Sequence, residues 1–369
     1  MRSLALFIAV LSAGTAVSAA TRWSTDDLAQ LSEVAVIAGQ EGLDAPRDIA
    51  AMVPGASTDD AADAIALGLA RDFLEGSART RDDPSWHLPR GTIDYRAWLD
   101  AVLDKHAVVA SYRALLPATP AYAAVRTALE QCRAGRGNCD LFERNLDRAR
   151  AFPREPGRDY VWVNVPAYRL DVIRDGKIVA SHKVIVGKPT TQTPTFRATM
   201  TGVTVNPWWN VPCSIVDESI GKLIRNNPAE AARRGFVATK GADGKLQVRQ
   251  KPGPNNALGR IKLEMPNPYG VYIHDTPSRD LFANDKRAFS HGCIRAQDPE
   301  GLAEAVLGDD QASALAVLLA GTTSRTIHLS RPLPVYVVYF TAELDPRTGQ
   351  VVSYTDIYHR DGKRIAATP

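Results

Sequence analysis

The chain changes its hydrophobic rhythm near residue 153. From Thr21 to about Phe152, apolar residues recur at the three- and four-residue steps of a helix face. Leu28, Leu31, Val34 and Ile37 form one stripe, Ala61, Ile65, Leu67 and Leu69 a second, and Val125, Leu129 and Cys132 a third. Start signals precede them. Ser24 with Asp27 and Ser57 with Asp60 read as capping boxes, and Thr119 with Pro120 as an N-cap followed by proline at the first helical position. Pro84, Pro89 and Gly91 break the helices between them.

Pro153, Pro156 and Gly157 mark a linker, and the period then drops to two. Val161, Val163 and Val165 alternate with other side chains, Tyr168, Leu170 and Val172 do so again, and Asp175-Gly176 turns the chain into the run Ile178 to Val186. This predicts a β meander rich in β-branched residues. Thr193 to Phe196 reads as a loop, and the next strand as Met200 to Val205. Residues 214 to about 258 read as a polar insertion, with helices over Val216–Asn226 and Pro228–Arg234 and a small hairpin at Asp243-Gly244. Strands follow at Ile261–Leu263, Val271–His274 and Thr326–His328, with helices after Asp298-Pro299 and over Gln311–Leu319. A last hairpin pairs Val335–Phe340 with Val351–Ile357, turned at Asp345 to Gly349. The fold class expected is α+β, a helical half before a mostly-β half.

Composition narrows the function classes. The 369 residues suggest more than one domain, and 45% hydrophobic residues suffice for real cores. A net charge of +3 without a Lys/Arg run gives no case for nucleic acid. Residues 1–20 read as a secretory signal peptide: Arg2, an apolar stretch from Leu4 to Leu11, then small residues with cleavage expected after Ala19 or Ala20. Export, with the periplasm as destination, gives the four cysteines meaning, because disulfides persist in oxidising compartments. Cys132 and Cys139 flank a glycine-bearing loop and are expected to pair; Cys213 has no local partner, and Cys293 has to stay reduced to react. No GxGxxG, Walker A or Cys/His metal spacing occurs.

The chemistry gathers between Gly270 and Arg295. His274 ends an apolar run, and fifteen residues later comes Ser290-His291-Gly292-Cys293-Ile294-Arg295. An imidazole beside a thiol can take its proton and release a thiolate nucleophile. The N–H groups of Gly292 and Cys293 are candidate oxyanion donors. Arg295 shares the nucleophile's face in an extended segment, to hold a substrate carboxylate or steady the loop. His291 competes with His274 as base; Cys/His partners usually lie far apart in sequence, which favours His274 and leaves His291 to shape the turn.

This whole stretch resembles the signature of the L,D-transpeptidase catalytic domain, at His274, Ser290, His291, Gly292, Cys293 and Arg295. Asn206-Pro207-Trp208-Trp209-Asn210-Val211-Pro212 with Ser214 and Ile215 resembles the family element leading into a capping subdomain, and the run from Arg90 to Pro117 looks like the scaffold domain of one branch. The resemblance implies a helical scaffold at 21–152 and a catalytic domain at 158–362, capped by about 214–258. It implies Cys293 as nucleophile, His274 as base and acid, and a main-chain carbonyl at or near Asp275 orienting the imidazole. Peptidoglycan tetrapeptide stems would be donor and acceptor, giving 3→3 cross-links, with no metal or organic cofactor. Water or a protein lysine as acceptor, or a wall-binding protein with a silent site, are the alternatives.

Overall fold

The computed structural model describes residues 22–44, 58–241 and 244–362; the expected signal peptide, Ser57 and Asp243 lie outside them. Seven helices come first: α1 (Thr25–Gln40), α2 (Thr58–Glu75), α3 (Ala78–Arg81), α4 (Tyr95–Asp104), α5 (Val108–Leu115), α6 (Pro120–Ala134) and α7 (Asp140–Ala151). The Ser24/Asp27 capping box is formed, and Thr119 caps α6 with Pro120 at its start. Leu31, Val34, Phe73, Leu99 and Tyr112 fill the core of α1, α2, α4 and α5. A Cys132–Cys139 disulfide ties α6 to α7, and Cys213 and Cys293 are free.

The strands are β1 (Trp86–His87), β2 (Tyr160–Asn164), β3 (Arg169–Arg174), β4 (Lys177–Gly187), β5 (Thr195–Val205), β6 (Trp209–Asn210), β7 (Phe236–Lys240), β8 (Leu246–Gln250), β9 (Ile261–Glu264), β10 (Ile273–His274), β11 (Ala288–Ser290), β12 (Ile294–Ala296), β13 (Arg325–Val338), β14 (Ala342–Asp345) and β15 (Gln350–Ser353). The main sheet runs β1-β5-β13-β2-β3-β4-β12-β10-β9, with β11 beside β4. Because β9 also pairs with β5, the sheet closes on itself. Val163, Leu170, Val203, Leu263, Ile273 and Ile294 point into the enclosed core, which helix Pro299–Leu307 covers through Leu302 and Val306.

Three expectations need correction. β5 begins at Thr195, inside the expected loop, because Thr195 and Phe196 pair with Trp86 and His87 in β1, a strand contributed by the helical half. The expected strand at Thr326–His328 and the expected hairpin arm Val335–Phe340 are two stretches of one strand, β13, which pairs antiparallel with β5 and parallel with β2 across an irregularity between His328 and Leu333. The last hairpin is therefore β14 with β15, turned at the expected place. The insertion also starts earlier than 214: β6 pairs with β8, so Trp209 joins the three-stranded cap sheet β6-β8-β7. The first helical stretch of the cap is irregular, with a π turn at Val216–Ile220 between Cys213–Ile215 and Gly221–Asn226.

The helical half is fastened to the sheet by an aromatic cluster and by buried charge. Trp86, Phe152, Trp162, Tyr336 and Phe340 pack together at the junction. The segment expected as a linker is itself anchored, since Arg154 donates to the Leu115 carbonyl (2.7 Å) and Tyr336 to that of Pro156 (3.1 Å). On α7, Asn145 exchanges hydrogen bonds with the Thr341 backbone and hydroxyl, and Arg148 pairs with Asp361 at 2.7 Å. Asp147 accepts from the Ser77 N–H (2.6 Å), the Ser77 and Thr80 hydroxyls (2.8 and 2.5 Å) and Arg150 (3.1 Å). These donors are buried or half-buried, so loss of the carboxylate takes away the acceptor they share. Asp147→Ala is therefore expected to destabilise the protein by about 3–5 kcal/mol in denaturant titration, the usual cost of breaking a buried ion pair.

Candidate active site

The site lies on the face of β9, β10 and β12 that points away from the core. β10 and β12 run parallel, with Ile273 opposite Ile294 and His274 opposite Arg295; the Ile294 N–H donates to the Tyr272 carbonyl at 2.9 Å. Side chains alternate across a strand. Ile273 and Ile294 therefore enter the core, while Tyr272, His274, Cys293 and Arg295 share the other face. β9 pairs antiparallel with β10 and sets Lys262 opposite His274, adding Lys262 and Glu264 to that face. Lys262 pairs with Glu264 (2.8 Å), which also accepts from the Thr204 hydroxyl (2.6 Å).

The cysteine turn is organised by Ser290. Its hydroxyl donates to the Cys293 carbonyl (2.5 Å) and accepts from the Gly292 N–H (3.1 Å). Gly292 has φ +113°, a conformation that side-chain-bearing residues rarely adopt. Its N–H, expected as an oxyanion donor, is thus already engaged by Ser290. The Cys293 N–H makes no hydrogen bond among the described residues and is the one of the pair still available.

His274 is buried, and its Nδ1 donates to the Asp275 carbonyl at 2.5 Å, leaving Nε2 as the unprotonated nitrogen. Asp275 is pinned in turn: its carboxylate accepts from the N–H groups of Arg260 (2.8 Å) and Thr276 (2.7 Å) and from Arg279 (3.0 Å). Gly259, at φ +60°, lies against that carboxylate, where a Cβ would come within 2.1 Å of Oδ2. His291 points elsewhere. Its Nε2 lies 2.9 Å from Glu218 Oε2 on the π turn of the cap, so it joins the cysteine turn to the cap.

Residues 158–337 match the L,D-transpeptidase catalytic domain (YkuD), and residues 21–129 match the Scaffold domain. Residues 158–337 belong to the L,D-transpeptidase catalytic-domain family. A Haemophilus influenzae protein with L,D-transpeptidase as its provisional name is 29% identical over 235 residues, 59% of this chain and 47% of that protein. The chain thus spans about half the length of the curated relative it matches. Solved structures with some likeness include an L,D-transpeptidase from Mycobacterium smegmatis (15% identity, 49% of this chain and 58% of that one, TM-score 0.24). Another is the catalytic domain of an E. faecium L,D-transpeptidase (19% identity, 50% of this chain and 100% of that one, TM-score 0.23).

Two side chains of this L,D-transpeptidase domain escape the motif reading. Tyr272 lies beside Cys293 across the paired strands, and its main chain and its phenol both oppose the rise in the thiol's pKa. Trp209, which the sequence offers only as one of two adjacent tryptophans, donates its indole N–H to the Tyr272 hydroxyl at 3.2 Å. The alternation Tyr272-Ile273-His274 was the available signal for Tyr272. Nothing local marks Trp209, which reaches the site from the cap.

Burial sets the charge states. Desolvation, then the positive charges of Arg295 and Lys262, push the His274 imidazole down to about 3 against the lone opposing hydrogen bond to Asp275. Desolvation pushes the Cys293 thiol up, opposed by hydrogen bonds from Tyr272 and by the charges of Arg295 and Lys262. The resting pair is therefore neutral thiol and neutral imidazole. Among the described residues the thiol's one acceptor is the Gly270 carbonyl at 3.8 Å, and no hydrogen bond joins it to His274. Arg295 has no carboxylate partner among the described residues, and its Nε is buried without an acceptor.

A depressed histidine has a consequence for stability. Between pH 6.5 and about 3 the unfolded chain protonates this histidine while the folded chain does not. The unfolded state then binds more protons, so stability falls as the pH drops through that window. In denaturant titrations the wild type is expected to lose stability more steeply than His274→Gln below pH 6.5, by up to about 1.4 kcal/mol per pH unit. Equal slopes would contradict a buried, neutral imidazole.

Proposed function

We propose that this protein is an exported L,D-transpeptidase that joins peptidoglycan stems through a Cys293 thioester, with His274 as base and acid. The observation that carries the reading is the neutral imidazole fixed by the Asp275 carbonyl, on the same sheet face as a free thiol. Membership of the catalytic-domain family supports the substrate class, since L,D-transpeptidases act on peptidoglycan stem peptides. The Cys132–Cys139 disulfide supports the periplasm as the compartment.

The geometry suggests the following order of events. Nε2 of His274 takes the thiol proton as the sulfur attacks the carbonyl carbon of the third stem residue, a meso-diaminopimelate. The oxyanion forms against the free Cys293 N–H, a donor already in place. The bond to the terminal D-Ala breaks, and the departing amine takes the proton from His274. The acceptor amine of a second stem, deprotonated by the same nitrogen, attacks the thioester and gives a 3→3 cross-link. The sulfur leaves as thiolate and recovers its proton from the imidazolium. The unpaired Arg295 guanidinium is placed to hold a substrate carboxylate, a pairing that charged hydrogen bonds make strong. Ser290 and Gly292 shape the turn that presents the sulfur.

The test is mass spectrometry of tetrapeptide muropeptides incubated with the mature protein. Dimers with 3→3 linkage are expected, and none with Cys293→Ala. His274→Ala is expected to slow turnover by about 10²–10⁴, the range for loss of a general base. Tripeptide monomers without dimers would make water the acceptor and replace this reading with a carboxypeptidase. If His291→Ala abolished turnover while His274→Ala did not, the base would be misassigned.

A further inference from the structure

Cys293 sits in register beside Tyr272, and among the described residues no hydrogen bond joins the thiol to the His274 imidazole. The Tyr272 phenol is not free to turn. Its oxygen accepts the Trp209 indole N–H at 3.2 Å, and an indole nitrogen can only donate. The phenol's own proton is thereby left for another acceptor, and Cys293 is its neighbour across the paired strands. The Lys262 ammonium lies 5.1 Å from the centre of the Tyr272 ring and holds it from the other side. Trp209 belongs to the cap: it pairs with Gln250 and packs with Val211, Val216, Val248 and Leu258.

From this chain of contacts we infer that Tyr272 is a further catalytic residue, whose phenol donates a hydrogen bond to the Cys293 sulfur as negative charge gathers on it. Trp209 is its positioning residue, and through it the folding of the cap sets the reactivity of the nucleophile. No atom is transferred through Tyr272. The thiol proton goes to His274, the sulfur–carbon bond forms, and the phenol keeps its own proton while stabilising the thiolate before attack and again when the sulfur leaves. This assignment rests on Cys293 as the nucleophile, and it explains how a half-buried thiol with no hydrogen bond to the imidazole ionises. The charged and titratable groups facing the sulfur are His274 on its neighbouring strand, Lys262 and Glu264 on β9, and Arg295 on its own strand. All of them stay unchanged in the variants below.

The experiment is the pH dependence of Cys293 alkylation by iodoacetamide, in a Cys213→Ser background because Cys213 is an exposed free thiol. This readout needs no peptidoglycan. A normal alkylation profile with no cross-linking would overturn the proposed function and leave this inference standing. Tyr272→Phe is expected to raise the inflection by about one to two pH units, the worth of a hydrogen bond to a charged group, and to slow alkylation at pH 7 about ten-fold or more. Trp209→Phe is expected to give a smaller shift in the same direction. Incorporating 3-fluorotyrosine at position 272, a stronger donor of nearly the same shape, is expected to lower the inflection, a direction that loss of structure does not produce. An inflection unmoved by both changes at position 272 would overturn the role of Tyr272. An inflection moved by Tyr272→Phe but not by Trp209→Phe would overturn the link to the cap.

Discussion

The parallel pairing of β10 with β12 is the constraint on which the site depends. These strands are two and three residues long, yet their register sets His274 beside Arg295 and Tyr272 beside Cys293. Because strand side chains alternate, the same register sends Ile273 and Ile294 into the core. A slip by one residue would bury the thiol and imidazole among aliphatic side chains and expose two isoleucines. The cost of that exchange fixes the register. Hydrophobic burial thus supplies the precision that the chemistry uses, with no hydrogen bond between the two reacting side chains.

Around this pair the molecule arranges charge so that neither group ionises by itself. Arg295 and Lys262 make an imidazolium unfavourable, and burial makes a thiolate unfavourable. Both groups therefore rest in their neutral forms. The same two cations favour a thiolate, so they oppose charge on the imidazole and favour it on the sulfur together. The Asp275 carbonyl does what a side-chain carboxylate does in other triads, orienting the ring without adding a negative charge that would raise its basicity.

The flanking elements act on this centre from two directions. The cap reaches it through Trp209 on Tyr272 and through Glu218 on His291. The helical half contributes β1 to the edge of β5, and β5 in turn carries β9. The buried ionic set of α7 clamps that half to the end of the sheet, and the paired charges satisfy one another where water cannot. Such networks are fragile to loss of one member, which makes α7 a structural hinge point rather than a second chemical site.

The helices were legible because their signals are local. Ser24 with Asp27, Thr119 with Pro120 and Asp298 with Pro299 each cap a helix within a few residues of chain. The α+β class and the two halves follow from the change of period near residue 153, and the Ser290–Arg295 motif with His274 named the candidate chemistry before any fold was known. Strand partners were not legible, because pairing energy belongs to two distant segments at once. Val335–Phe340 reads as a hairpin arm, but its neighbours are β2 and β5, far away in the chain. Thr195 and Phe196 look like loop until β1 supplies their partner. The Gly292 N–H looks free until Ser290 folds onto it. His291 looks local until the cap brings Glu218 to it, and Trp209 looks like packing until its indole meets Tyr272. The sequence alone determined which residues carry reactive groups and which local elements hold them. Only the tertiary structure decided which face those groups share, what charge they bear and which distant side chains address them, because burial and cross-strand contact exist only once the chain has closed.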